Sequence, residues 1–165
     1  MTKLIRYPYL PFDRKIKYVS QNDYYMQQAK NVANAQSLDR DMPTGCVIVS
    51  DTRIIGVGAN GSEYHEKHGC ERKQLGIPTG QGYGICEGCH PKNHAEQKAI
   101  ADAFRNYKKK VHDADLYLWG HWWCCESCWH AMIKAGIKNV YLMHNSEVLF
   151  NITNPENIIG KEFSR

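Results

Sequence analysis

Seven cysteines and eight histidines in 165 residues, gathered in sets, constrain this chain more than any hydrophobic period does. Cys46 stands alone, Cys70, Cys86 and Cys89 share a glycine-rich stretch, and Cys124, Cys125 and Cys128 crowd into five residues. The count is odd, and the opening MTKLIRYPYLPFDRK has no apolar run of the roughly 7–15 residues a secretory signal needs. The expectation is a cytoplasmic protein with reduced thiols, whose cysteines serve metal or catalytic roles. No apolar stretch approaches the roughly 18 residues of a membrane span. With 42% hydrophobic and 23% charged residues the chain has the composition of one globular domain, which excludes a disordered tail. A net charge of +4 is mildly basic and suits a bound nucleotide as well as a polymer.

Residues 1–22 mix aromatic, proline and basic residues without a period and read as an irregular N-terminal arm, followed by a domain over 23–165. From Asp23 to Leu38 apolar residues recur at three-to-four spacing, which predicts a helix with Asp23 as its cap. Gly45–Val49 and Arg53–Val57 are β-rich runs separated by Ser50-Asp51-Thr52, so they predict a hairpin. His94–Tyr107 reads as a helix, Asp115–Trp119 as a strand, Glu126–Ala135 as a helix stopped by Gly136, and Val140–Met143 as a strand. Pro155 is placed to open a last short helix. The order predicts an α/β fold. Between the hairpin and His94, residues 61–93 hold seven Gly, two Pro, three Cys and three His without periodicity, so this inserted loop needs something other than a core to order it.

Two motifs carry the chemistry. His94-Ala95-Glu96 and Cys125-Glu126-Ser127-Cys128 each open a predicted helix. Two thiolates from a C-x-x-C and one imidazole from a neighbouring helix fill three tetrahedral positions of zinc and leave the fourth open, as catalysis requires. Glu96, in the same first turn as His94, is placed to move protons without ligating the metal. A C-x-x-C alone also fits a closed structural zinc site or a redox pair, and the upstream His-x-Glu is what favours catalysis.

With these motifs the sequence resembles the zinc-dependent cytidine/deoxycytidylate deaminase superfamily, and within it the deoxycytidylate (dCMP) deaminases. The likeness runs from about Ala33 to Met143 and includes Pro43–Val49, Arg53–Ser62, the HAEQKAI run from His94 and Ala135–Tyr141. It implies a single-domain, three-layer α/β/α fold with a mixed central sheet of about five strands. It also implies one catalytic Zn2+ on His94, Cys125 and Cys128, Glu96 as the catalytic proton carrier, and Asn60 and Ala95 as substrate contacts. The reaction implied is hydrolytic deamination of dCMP to dUMP, with dCTP and dTTP as allosteric effectors of a homo-oligomer. Other free nucleosides or bases, nucleic acid, and a non-catalytic zinc-binding module are the alternatives, and the modest charge disfavours nucleic acid.

The sequence departs from the family pattern at Cys124, where the family has proline; a packing thiol and a competing ligand are its two readings. Trp122 and Trp123 are read as core or as a stacking surface for the base, and His121 and His130 as structural histidines. Arg72, Lys73 and Lys92 are candidate phosphate contacts, or a solvated loop face. In the insert, Cys70, Cys86 and Cys89 lack one donor for a second, structural zinc; His65, His68 and His90 are candidates, and His65 is favoured. The competing reading is unmetallated thiols on a mobile lid.

Overall fold

The computed structural model describes residues 8–159. Its centre is a five-stranded sheet in the order β1-β5-β4-β2-β3, with β1 at Ile16–Val19, β2 at Gly45–Ser50, β3 at Arg53–Ala59, β4 at Asp115–Trp119 and β5 at Asn139–Met143. The sheet is mixed: β2 runs antiparallel to β3 and β4, while β4 and β1 run parallel to β5. The β2–β3 hairpin turns at Asp51 and Thr52, whose φ values of 48° and 64° are those of a type I′ turn, the two-residue turn whose twist matches a hairpin.

β2 and β4 are buried on both faces, which is why they read as continuous apolar runs without alternation. Cys46, Ile48, Leu116 and Leu118 point to one side, where α4 (Ala95–Tyr107) and α5 (Glu126–Ala135) pack. Val47, Val49, Tyr117 and Trp119 point to the other, against α1 (Tyr24–Gln36) and α6 (Ser146–Phe150). The result is three layers, α/β/α. Caps fix the helix ends: Asp23 accepts from Met26 N at 3.0 Å to start α1, and Gly136, left-handed at φ 85°, stops α5.

The site depends on how closely α4 lies on the sheet. A Cβ on Gly58 would stand 2.4 Å from Ala99 N, and one on Gly56 would stand 2.5 Å from Ala99 O. Only bare backbone on β3, facing Ala95, Ala99 and Ala103, permits that approach. Asp102 Oδ2 accepts from Val57 N at 2.9 Å and ties the helix to the strand. The start of α4, with its His-x-Glu, is therefore set by the core.

Three expectations change. Ile16–Val19, read as part of an irregular arm, forms β1 and pairs with Val140–Met143, so the sheet begins inside the segment assigned to residues 1–22. Four residues are too few to show a period; the pairing decides them. Pro155 lies among turns, and the last described helix is α6, ahead of it. The 61–93 loop contains α2 (Glu63–His68), α3 (Glu71–Gln74) and 3-10 turns at Glu87–Cys89 and Pro91–Asn93. These are too short to leave a periodic trace. Residues 1–7 of the expected arm and 160–165 of the expected domain lie outside the described residues. No helix among the described residues is long and apolar enough to cross a membrane.

Candidate active site

Two helix N-termini, those of α4 and α5, meet past the end of β4. His94 is the residue before α4, and Cys125, the N-cap of α5, accepts from Cys128 N at 3.4 Å. This brings His94 Nδ1 to 3.5 Å from Cys125 Sγ and 3.4 Å from Cys128 Sγ. Tetrahedral zinc with its usual bond lengths separates nitrogen from sulfur by about 3.6 Å, so the three donors fit that ion as they stand. Positive potential at two helix starts favours thiolates here. Without a metal the two thiols share a proton: the Cys128 thiol bonded to it, with His94, draws Cys125 down to about 4, and Cys128 is held up in return. Gln97 Nε2 donates to Ser127 Oγ at 3.0 Å and links the two helices.

Glu96 is buried at 5% exposure, and burial raises its carboxyl above the ordinary carboxylate range. It lines, with His94, Ala95 and Cys125, a cavity of about 650 Å3, a size suited to a small-molecule ligand. Ala95 occupies the first turn of α4, where backbone N–H groups lack intrahelical partners. Cys124 is outside the donor group and fully buried, and burial, with the negative charge of Glu96 adding to it, holds its thiol well above the ordinary range. Its place in the buried core fits the packing reading.

Asn60 reaches the cavity wall, but its amide is engaged by its own chain. Oδ1 accepts from Thr44 N at 2.8 Å and from Ser37 Oγ at 2.6 Å, while Nδ2 donates to Met42 O at 2.9 Å. One N–H remains for a ligand. The three expected phosphate cations also have partners. Arg72 is buried, Lys73 pairs with Asp41, and Lys92 pairs with Glu87. Of these, Arg72 and Lys73 line the cavity, as does Arg40, which sequence reasoning missed. It also passed over Tyr83, and it read His121 as structural. His121 lines the cavity stacked on Trp122, with centroids 4.6 Å apart, and burial lowers its pKa to about 3. Its position just past the end of β4, beside the C-x-x-C, was the available signal. Trp123 also lines the cavity, and His130 is exposed near Glu126.

The insert assembles a second donor group. His65 Nε2 is 3.2 Å from Cys86 Sγ and 3.6 Å from Cys89 Sγ, and Cys70 Sγ is 3.5 Å from Cys89 Sγ. All four donors lie within 4.8 Å of one another, which again fits tetrahedral zinc. His68 packs on Tyr64, and His90 Nδ1 accepts from Lys92 N; neither joins the group. A Cβ on Gly88 would fall 2.2 Å from the His65 ring, so glycine is what lets that ring close over the 87–89 turn.

The model for the "cytidine and deoxycytidylate deaminase zinc-binding region" matches residues 19–144, a span containing both donor groups. The chain belongs to this family. Among curated proteins, this deaminase-family chain is 31% identical over 123 residues to ComE operon protein 2 of Bacillus subtilis (strain 168), covering 74% of the chain and 59% of that relative's length. Among solved structures it is similar to the dCMP deaminase of cyanophage S-TIM5, at 22% identity and TM-score 0.49, covering 74% of this chain and 82% of that one. It is also similar to the guanine deaminase of Bacillus subtilis, at 24% identity and TM-score 0.44, covering 74% and 64%. The third is RibD of Acinetobacter baumannii, at 26% identity and TM-score 0.42, covering 72% and 26%.

Proposed function

We propose that this deaminase-family chain hydrolyses the exocyclic amine of a cytosine nucleotide, converting dCMP to dUMP with release of ammonia. The observation that carries the reading is Glu96: a buried carboxyl at an open cavity, beside three donors that leave one tetrahedral position free. A closed structural zinc would have no use for it. When bound by His94, Cys125 and Cys128, zinc supplies the Lewis acidity that activates water at neutral pH. Glu96 would take one proton from the water as its oxygen bonds to C4 and pass it to N3, then take the second proton, from the hydroxyl on C4, and give it to the amine as the C4–N bond breaks, the C4 carbonyl forms and ammonia leaves. The Ala95 N–H is available to the carbonyl of the base, and the remaining Asn60 Nδ2–H to the sugar. Arg40 at the cavity supplies positive charge for the monophosphate.

The proposal includes a second, structural zinc on His65, Cys70, Cys86 and Cys89. It is supported by donor spacing and by Arg72, a buried cation with no carboxylate within ion-pair distance among the described residues, whose Nη1 donates to Cys89 Sγ at 3.3 Å. Burial pushes the Cys89 thiol up to about 12 against the pull of Arg72, and a bound zinc would supply the further charge that turns this sulfur into a thiolate. The reading extends to a cytoplasmic homo-oligomer regulated by dCTP and dTTP.

The test is a substrate panel of dCMP, deoxycytidine, guanine and a single-stranded oligonucleotide, assayed with and without dCTP and dTTP, on protein whose zinc content and mass in solution are measured. Preferential turnover of dCMP with about two zinc per chain is expected. Preference for another substrate would replace dCMP, about one zinc per chain in active protein would remove the second site, and no turnover in zinc-loaded protein would return the chain to a binding module.

A further inference from the structure

Arg72 was expected to meet a phosphate, yet its guanidinium is committed elsewhere. It is 8% exposed, and Nε donates to Gln81 O at 2.7 Å, Nη2 to Pro78 O at 2.6 Å and Nη1 to Cys89 Sγ at 3.3 Å. Its Cζ stands 4.8 Å from the centroid of the Tyr83 ring, a cation–π contact. The Tyr83 hydroxyl accepts from Gly80 N at 3.0 Å, so the ring is held at its face and at its tip. That ring meets the His94 ring edge-on, with centroids 4.9 Å apart and planes at 83°. Both rings line the cavity. Cys89 lines the same cavity, and its sulfur belongs to the insert's donor group.

We propose that Arg72 and Tyr83 form a positioning wall: Arg72, anchored on the Cys89 sulfur, holds the Tyr83 ring against His94 as the side of the cavity on which the reacting base lies. The inference rests on the deaminase reading of the site. Its physical basis is the shape of arginine: a planar fork bonds three carbonyls and a sulfur while its cation stands over an aromatic ring, and a lysine ammonium cannot do both. The insert, which has little core of its own, thereby reaches the reaction centre. Tyr83 presents an aromatic surface of the kind that packs against a planar heterocycle.

The experiment compares Tyr83→Ala, Tyr83→Phe, Arg72→Lys, Arg72→Met and the Arg72→Met/Tyr83→Ala double variant, each zinc-loaded. Tyr83→Ala is expected to raise KM for the cytosine nucleotide about tenfold with kcat changed less than about threefold, since the ring binds the base and takes no part in proton transfer. Tyr83→Phe stays near wild type. Both Arg72 variants reproduce the Tyr83→Ala effect, and the double variant is no worse than Tyr83→Ala alone, because the two residues act as one unit. A readout independent of turnover is the imidazole 15N signals of His94, which are expected to move in Arg72→Met with zinc content unchanged, although Arg72 has no contact with His94. Wild-type KM in Tyr83→Ala, rescue by Arg72→Lys, or additive effects in the double variant would overturn the proposal. Should the wild type deaminate nothing, the deaminase reading fails, and the His94 signals still decide whether Arg72 positions that ring.

Discussion

The two donor groups use the same side-chain chemistry and nearly the same donor spacings, but opposite means hold them in place. His94, Cys125 and Cys128 stand at the starts of a thirteen-residue and a ten-residue helix that are packed on the sheet through Ala95, Ala99, Cys128, Trp129 and Met132. His65, Cys70, Cys86 and Cys89 come from helices of six and four residues and a single 3-10 turn. In the first group the core positions the donors, so a metal held there would be free to serve chemistry. In the second the donors precede any core, so a metal held there would supply the order that burial does not.

The largest effect that tests this contrast is on the insert. Removing the zinc proposed there, by Cys86→Ser or by selective chelation, would withdraw on the order of 10 kcal/mol of binding energy from a segment with little else to hold it. Limited proteolysis should then cut within 61–93 while hydrogen exchange in β2 and β4 stays slow. Equal loss of protection in β2 would break the contrast. Next comes Glu96→Gln, which keeps the shape of the first site and removes the proton carrier. Turnover should fall about 10²- to 10⁴-fold with zinc per chain unchanged, as steady-state rates and metal analysis would show. Retained turnover would remove Glu96 from the mechanism.

Two glycines give a finer comparison. Gly58→Ala drives a methyl group into Ala99 N and lifts α4 from the sheet, costing about 1–3 kcal/mol in denaturant unfolding and lowering activity with it. Gly76→Ala, in the insert, meets nothing within 4 Å and pays only for its φ of 67°, about 1–2 kcal/mol. It should leave turnover intact, and lost turnover there would mean that the insert's backbone is as tightly linked to the chemistry as α4. The smallest change expected is Asn60→Asp, which keeps the acceptor for Thr44 N and loses the donor to Met42 O, about 1 kcal/mol. A much larger rise in KM than in unfolding cost would assign Asn60 chiefly to the substrate.

Legibility in the sequence followed length and burial. α1, α4, α5, β4 and the β2–β3 hairpin are long or apolar enough to mark themselves, and the first donor group could be read because each motif sits at a helix start. β1 left no mark, since four half-exposed residues acquire strand geometry only from β5. The lining residues Arg40, Tyr83 and His121 were hidden because they come from three separate loops, and only folding sets them around one cavity. Arg72 was misread for a related reason. A charge in a glycine-rich segment looks solvated until the chain closes over it.

The sequence by itself determined the chemistry on offer: a His-x-Glu and a C-x-x-C at two helix starts, further Cys and His in a segment unable to form its own core, and an α/β order to carry them. Those are local properties, fixed by residue type and spacing along a helix. The tertiary structure alone decided that His65, rather than His68 or His90, joins Cys70, Cys86 and Cys89, that Cys124 stays outside the first donor group, and that Arg72 faces a thiol and an aromatic ring. Each of those choices joins residues distant in sequence or distinguishes between near neighbours. They follow from which surfaces the closed chain brings within a few ångströms, and spacing along the chain does not encode that distance.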